Sequence, residues 1–396
     1  MCRLTNNLVI ISFALFVISC EDNSYSSPNT NGFKKYYGGV HEEYAYGATP
    51  SFDGGFLIAG FSTTFTDNGN WNGWVVKTDT DGNGQWAHQY GKAGRESFHA
   101  VCQANGDEYV FAGFTTSYSR KEDFYIVKVD KNGTTLWEKA IGGHDNDSAF
   151  DIIATSDGNL AVTGYTYSYG LGGRDMWVMK LSQDGDIIWE VNFGKYYNDM
   201  GYALKETKDG GFIVVGYTDV YSTQYRYMWM VRLDASGKFL WEKVFDDYDG
   251  FSMATDVVTY NDGSIIIGGQ TDSLNQGWLD YWAVKTDFIG NITWSKIYLS
   301  SSTNTWKMVK TYQGGFTALG TTTHMNQEPE NFLLINFNLN GEVQWSQTYG
   351  GRKFEIAGKL INLGPGLGYG LTGTTKSYGN GITDYYLVKT DDEGNW

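Results

Sequence analysis

Val127-Lys128-Val129-Asp130-Lys131-Asn132-Gly133-Thr134-Thr135-Leu136-Trp137 decides the fold. An apolar run reaches an Asp-x-x-Gly step and returns to a tryptophan. That is the pattern of two strands joined by a tight hairpin, because Gly and Asp tolerate positive φ. The same step recurs along the chain at Gly82, Gly133, Gly185, Gly237, Gly290, Gly341 and Gly394, spaced 51, 52, 52, 53, 51 and 53 residues apart. A tryptophan follows the first six at a fixed offset: Trp86, Trp137, Trp189, Trp241, Trp294 and Trp345. A second ladder, Gly60, Gly113, Gly164, Gly216, Gly269, Gly320 and Gly373, runs in constant phase with the first and heads G-x-T-like turns.

Between these markers each unit holds four short β-like segments. In the third unit they are expected at 149–155, 159–166, 176–182 and 187–193, divided by turns such as Ser156-Asp157-Gly158 and Gln183-Asp184-Gly185. Four strands per unit of roughly 50 residues make a propeller blade. The ends interlock. Phe33-Lys34-Lys35-Tyr36-Tyr37-Gly38 matches Trp86-Ala87-His88-Gln89-Tyr90-Gly91, a fourth strand without the three that should precede it. The C-terminus stops at Trp396, where its own fourth strand should begin. The expectation is an all-β, seven-bladed β-propeller with four antiparallel strands per blade. The N-terminal strand closes it by joining the last blade, with Phe33 in the tryptophan slot. Closure leaves no open sheet edge.

Composition agrees. With 51 glycines, 4 prolines and 16% aromatic residues, the chain is turn-rich and β-like. Its net charge of −16 repels phosphates, so nucleic acid is not an expected partner. Cys2 and Cys20 precede the repeats, which leaves Cys102 alone among them and excludes a disulfide there. None of the five histidines falls in a metal-ligand pattern, and there is no G-x-S-x-G elbow or phosphate-binding P-loop.

The first residues read as a leader. Arg3 precedes an apolar run from Leu8 to Ile18, too short to span a membrane, and Ser19-Cys20 closes it. The division expected is a signal peptide over 1–19, a polar tether over 20–32 with a reach of roughly 20 Å, and the propeller over 33–396.

Two resemblances follow from these residues. Val17-Ile18-Ser19-Cys20 resembles the lipobox of bacterial lipoproteins, which implies lipidation at Cys20, and Glu21-Asp22 resembles the surface-export signal of Bacteroidota lipoproteins. Together they imply a lipid-anchored outer-membrane protein facing the cell exterior, in contact with membrane through its anchor only. The repeat resembles that of uncharacterised Bacteroidota propeller lipoproteins across nearly all of 33–396. Its V-K-x-D-x-x-G-x-x-x-W run also resembles quinoprotein-like propeller repeats, although the turn is shorter and no quinone ligand set is present.

Two residue sets are candidate sites. Six residues beyond the end of each fourth strand stand Glu43, Glu96, Asp147, Asp199, Phe251, Asn304 and Glu355. The five carboxylates suit support of their own loops by accepting backbone N–H bonds, a shared cation such as calcium, or a pair of glycosidase acids. No other cofactor is implied. The second set lies on the face of longer loops, including 62–73 and 219–227. Trp71, Tyr118, Tyr169, Tyr225, Trp278 and Tyr378 stand there among Asn, Ser and Thr, as rings that stack on sugars or on a protein partner would. The tryptophan ladder and the Lys/Arg series Lys77, Lys128, Lys180, Arg232, Lys285 and Lys389 suit packing and buried pairing instead. The function expected is a monomeric, non-catalytic recognition or scaffold module for glycan or protein. The alternative is a carbohydrate-active hydrolase using paired carboxylates.

Overall fold

A computed structural model describes residues 32–65, 69–220, 225–245, 250–272, 279–302, 306–322 and 329–396. These residues contain no helix; they form seven blades of four antiparallel strands. In blade three the strands are Asp147–Ala154, Leu160–Thr166, Asp175–Leu181 and Ile187–Phe193, within two residues of expectation. Blade six has the shortest innermost strand, Lys307–Lys310.

The ring closes as the matching ends require. Phe33–Tyr37 lies antiparallel to Asp384–Thr390, with Phe33 opposite Lys389. That is the register of Trp86 opposite Lys77 and Trp137 opposite Lys128.

Each blade is covered on both faces by its neighbours. The two middle strands of blade three are therefore buried at every residue. One shared core takes Val110, Ala112, Phe124 and Ile126 from blade two and Ile152, Leu160, Val162 and Trp177 from blade three. Cys102 packs against it, and burial pushes its thiol pKa up to about 12.

The tryptophan ladder joins blade to blade. The indole N–H groups of Trp86, Trp137, Trp189 and Trp294 donate to carbonyls of Lys131, Gln183, Ala235 and Leu339, each in the turn of the following blade. The turn glycine answers both demands of that contact. Gly133 has φ of 82°, and a Cβ on it would sit 2.4 Å from His88 and 3.1 Å from the Trp86 ring. Phe33 meets Gly82 in the same way, so closure reuses the ordinary blade contact. Most of the Lys/Arg series is paired with an acid at the turn between the first two strands of its own blade. Lys77 bonds Asp53 at 2.5 Å, Lys128 bonds Glu108 at 2.6 Å, Lys180 bonds Asp157 at 2.6 Å and Arg232 bonds Asp209 at 2.6 Å.

Candidate functional site

All five carboxylates begin an innermost strand and all are 0% exposed. Each is held by its own blade. Glu43 accepts the Gly39 N–H and the Ser62 hydroxyl. Glu96 accepts hydroxyls from Thr115 and Ser117. Asp147 accepts the Gly143 N–H and the Ser168 hydroxyl, Asp199 the Lys195 N–H, and Glu355 the Gly351 N–H and the Thr375 hydroxyl. This geometry is that of loop support. The register also moves one slot: Ser252, not Phe251, lies opposite Thr271 as Glu43 lies opposite Ser62. Blade five carries one more residue before its innermost strand, so counting along the chain lands one short. Asn304 lies outside the described residues.

A second acidic series, from the third strand of the preceding blade, abuts the first. A Cβ on Gly194 would lie 1.6 Å from Asp175 Oδ1 and 3.0 Å from Asp199 Oδ2. Gly142 sits likewise between Asp123 and Asp147, and Gly38 between Asp384 and Glu43. Burial, with Asp199 beside it, pushes the Asp175 pKa up to about 6, and burial with Glu43 nearby does the same to Asp384. Among the described residues no group of three His, Cys, Asp or Glu side chains is placed to hold a metal ion.

The aromatic candidates separate. Tyr118 donates to Glu138 at 2.7 Å beneath Lys92, Tyr169 packs on Trp177 and donates to the Gly142 carbonyl, and Tyr378 stacks on Tyr386 and donates to the Gly350 carbonyl. These rings latch loops onto their own blades. Tyr225 is 40% exposed at the edge of its loop. Trp278 lies outside the described residues, as does Cys20. Trp71 joins an assembly that lines the ring, stacked on Phe61 at 4.5 Å and 14°.

That assembly starts from a backbone irregularity. The innermost strand slips register between Ala45 and Gly47, Phe98 and Ala100, Ala149 and Asp151, and Gly201 and Ala203. Each slip is a β-bulge with one unpaired residue, a device that re-aims a side chain. The unpaired residues are Tyr46, His99, Phe150 and Tyr202, one from each of blades one to four. Their rings touch in sequence: Tyr46 to His99 at 5.5 Å, His99 to Phe150 at 5.0 Å and nearly parallel, Phe150 to Tyr202 at 5.1 Å. A second tier from the neighbouring strands leans on the first, with Phe61 on Tyr46, Phe114 on His99, Tyr165 on Phe150 and Tyr217 on Tyr202. Three guanidinium groups cap the arc, Arg95 lying over Trp71 at 5.5 Å. Arg174 lies over Tyr165 and Tyr167 at 4.9 and 5.4 Å, and Arg226 over Tyr217 and Phe251 at 3.5 and 5.0 Å.

Charges on the arc are paired: Arg226 bonds the buried Asp219 at 3.0 Å, and Glu122, which accepts from the Tyr165 hydroxyl at 3.3 Å, faces Arg95 at 3.6 Å. Burial pulls the His99 pKa down to about 4, against the pull of its bond to the Ala149 carbonyl, so the ring is neutral at pH 7. Burial likewise lifts Tyr46 and Tyr202 to about 12. Flat apolar faces bordered by hydroxyls and guanidinium groups are suited to stacking and hydrogen bonding, not to acid–base chemistry.

No protein-family model matches the chain. Regulatory protein FlaEY of Caulobacter vibrioides is 26% identical over an alignment of 141 residues that covers 30% of this chain and 15% of that protein. The chain therefore spans a small fraction of that curated relative's length. Crystal structures of Sqt1 from Chaetomium thermophilum are similar at TM-scores of 0.50 and 0.51, covering 84% and 85% of this chain and 80% and 82% of those, at 12% identity. The lignostilbene dioxygenase of Pseudomonas brassicacearum is similar at 0.50, covering 83% of this chain and 86% of that one, again at 12% identity. At such identities the likeness is one of propeller fold alone.

Proposed function

We propose that the chain is a non-catalytic recognition module that binds glycan through its loop-rich face. The fold itself is compatible with binding or with hydrolysis and specifies neither. The observation that carries the reading is the continuous arc of rings from Trp71 through Tyr46, His99, Phe150 and Tyr202 to Tyr217, capped by Arg174 and Arg226. Sugar rings present the flat C–H faces that such an arc stacks on and the hydroxyls that its rim engages. Hydrolysis needs two acids within reach of a substrate. Glu43, Glu96, Asp147, Asp199 and Glu355 are fully buried and engaged by their loops, which favours recognition. The leader-like residues up to Cys20, with Glu21-Asp22 after them, support a chain lipid-anchored in the outer membrane and displayed on its outer side.

A glycan array probed with the full chain tests the reading, with Trp71→Ala and Arg174→Gln beside it. Retention by the parent that falls at least tenfold in both variants is expected. No retained glycan, or retention indifferent to both changes, would overturn it. In the first case a pull-down from bacterial surfaces tests the protein-partner reading instead.

A further inference from the structure

On the face of the tight turns the ring opens into a cavity of about 690 Å³, walled by blades four to seven. Lys205, Lys310 and Lys359 line it, and no acidic side chain does. The remaining wall is mostly apolar, with Val258, Val309 and Leu360, and Tyr260 and Tyr312 complete it.

The charge above this cavity is already spoken for. Asp151 and Asp256 stand at the bulge level of blades three and five, 5% and 2% exposed. Asp151 accepts the N–H of Ile152 and, from the next blade, of Leu204. Asp256 accepts those of Val257 and Met308 in the same way. Each carboxylate thus pins two blades together. Lys307 shares this level and donates to the Thr255 carbonyl at 3.2 Å. Lys205 reaches Asp151 only at 3.9 Å. Among the described residues Lys310 and Lys359 have no ion-pair partner within contact distance. Burial works against the Lys359 ammonium, but Asp151 and Asp256 across the axis outweigh it and hold its pKa above the usual value.

Three ammonium groups, those of Lys205, Lys307 and Lys359, therefore gather about two carboxylates, with Lys310 at the exposed rim of the cavity, in a chain whose net charge is −16. A concave, low-dielectric wall focuses such a field on whatever enters. The volume is that of a small-molecule site. The deep Lys205 and Lys359 and the exposed Lys310 call for an anion with more than one acidic group, and the aliphatic wall for a short carbon body between them.

We propose that this cavity binds a small organic polyacid, bearing carboxylate or phosphate groups, through Lys205, Lys310 and Lys359. The cavity opens on the turn face, below the bulge level that carries the aromatic arc, and shares no lining residue with it.

Calorimetric titration of the full chain with citrate and, separately, with inorganic phosphate, in a low-salt buffer of uncharged base, tests the assignment. Saturable one-site binding of at least one probe is expected. It weakens at least tenfold in Lys359→Gln and in Lys310→Gln and is unchanged in Trp71→Ala. Lys310 is exposed, so its substitution reads the site without touching the core. Tighter binding of citrate assigns a polycarboxylate, and tighter binding of phosphate a phosphate ester. No saturable binding of either probe, or binding that survives both lysine substitutions, would overturn the proposal while leaving the glycan reading intact.

Discussion

Asp175→Asn is expected to stabilise the protein at neutral pH. Asp175 is 2% exposed, its Oδ1 has no hydrogen-bond partner, and it abuts Asp199 across the junction of blades three and four. Burial and the neighbouring Asp199 raise its pKa from the ordinary 3.8 to about 6. A carboxyl raised on folding binds its proton more tightly in the native state. Native stability is therefore greatest below the unfolded pKa and is lost as pH climbs from about 4 through about 6. Two pKa units are worth about 3 kcal/mol as a ceiling, since one unit is about 1.36 kcal/mol. Solvent screening at the edge of the face reduces this to about 1–2 kcal/mol. Asparagine has the same shape, carries no charge, and can donate an N–H to Asp199. The chain already places asparagine there in other blades. Asn72 opposite Ser62 and Asn331 opposite Thr322 occupy the register of Asp175 opposite Thr166. Urea denaturation at pH 4.0, 6.0 and 7.5 measures the effect. The variant should exceed the parent by about 1–2 kcal/mol at pH 7.5, converge with it at pH 4.0 and show a flatter profile between. A variant no more stable at pH 7.5, or one with the parent's pH slope, would refute the strained pair.

The other predictions follow from single contacts. Deleting Phe33–Gly38 strips the outer strand from blade seven; a lower melting temperature and self-association by light scattering are expected, and a stable monomer would contradict the closure contact. Gly133→Ala forces a Cβ against His88 and Trp86 at a φ of 82°; a loss of about 1–3 kcal/mol in chemical denaturation is expected. Millimolar calcium should leave the melting temperature unchanged, because loop N–H groups and hydroxyls hold the five acids; a rise that Asp175→Asn abolishes would assign a cation to that pair. Cys20→Ala should remove lipid labelling and membrane fractionation, and unchanged labelling would reject the lipobox reading.

The propeller was legible because its signal is repeated. Glycine turns, docking tryptophans and the stray strand at Phe33 recur in phase, so each copy checks the others. The five acids were legible as a set for the same reason, although the extra residue before Ser252 displaced one slot. The aromatic arc was not. It depends on bulges, and a bulge breaks the period of two by which strand faces are read from sequence. Tyr46, His99, Phe150 and Tyr202 do share one signal, standing three residues beyond Glu43, Glu96, Asp147 and Asp199. The lysine cavity left no ladder at all, since Lys205, Lys310 and Lys359 occupy different positions in their strands.

The closing strand has a mechanical consequence. Gly32 sits beside Trp396 and the Lys389 carbonyl, next to the tight turn in which Gly394 donates to Asp391. Any attachment through the residues before it therefore grips the ring from the turn face and leaves the aromatic arc pointing away. A load applied between that attachment and a ligand on the arc runs along Phe33–Tyr37, not across it. The ladder bonds to Asp384–Thr390 lie perpendicular to the strands, so such a load shears all five residue pairs together instead of peeling them one by one. The strand that completes the last blade is thus also the clasp through which tension enters the body.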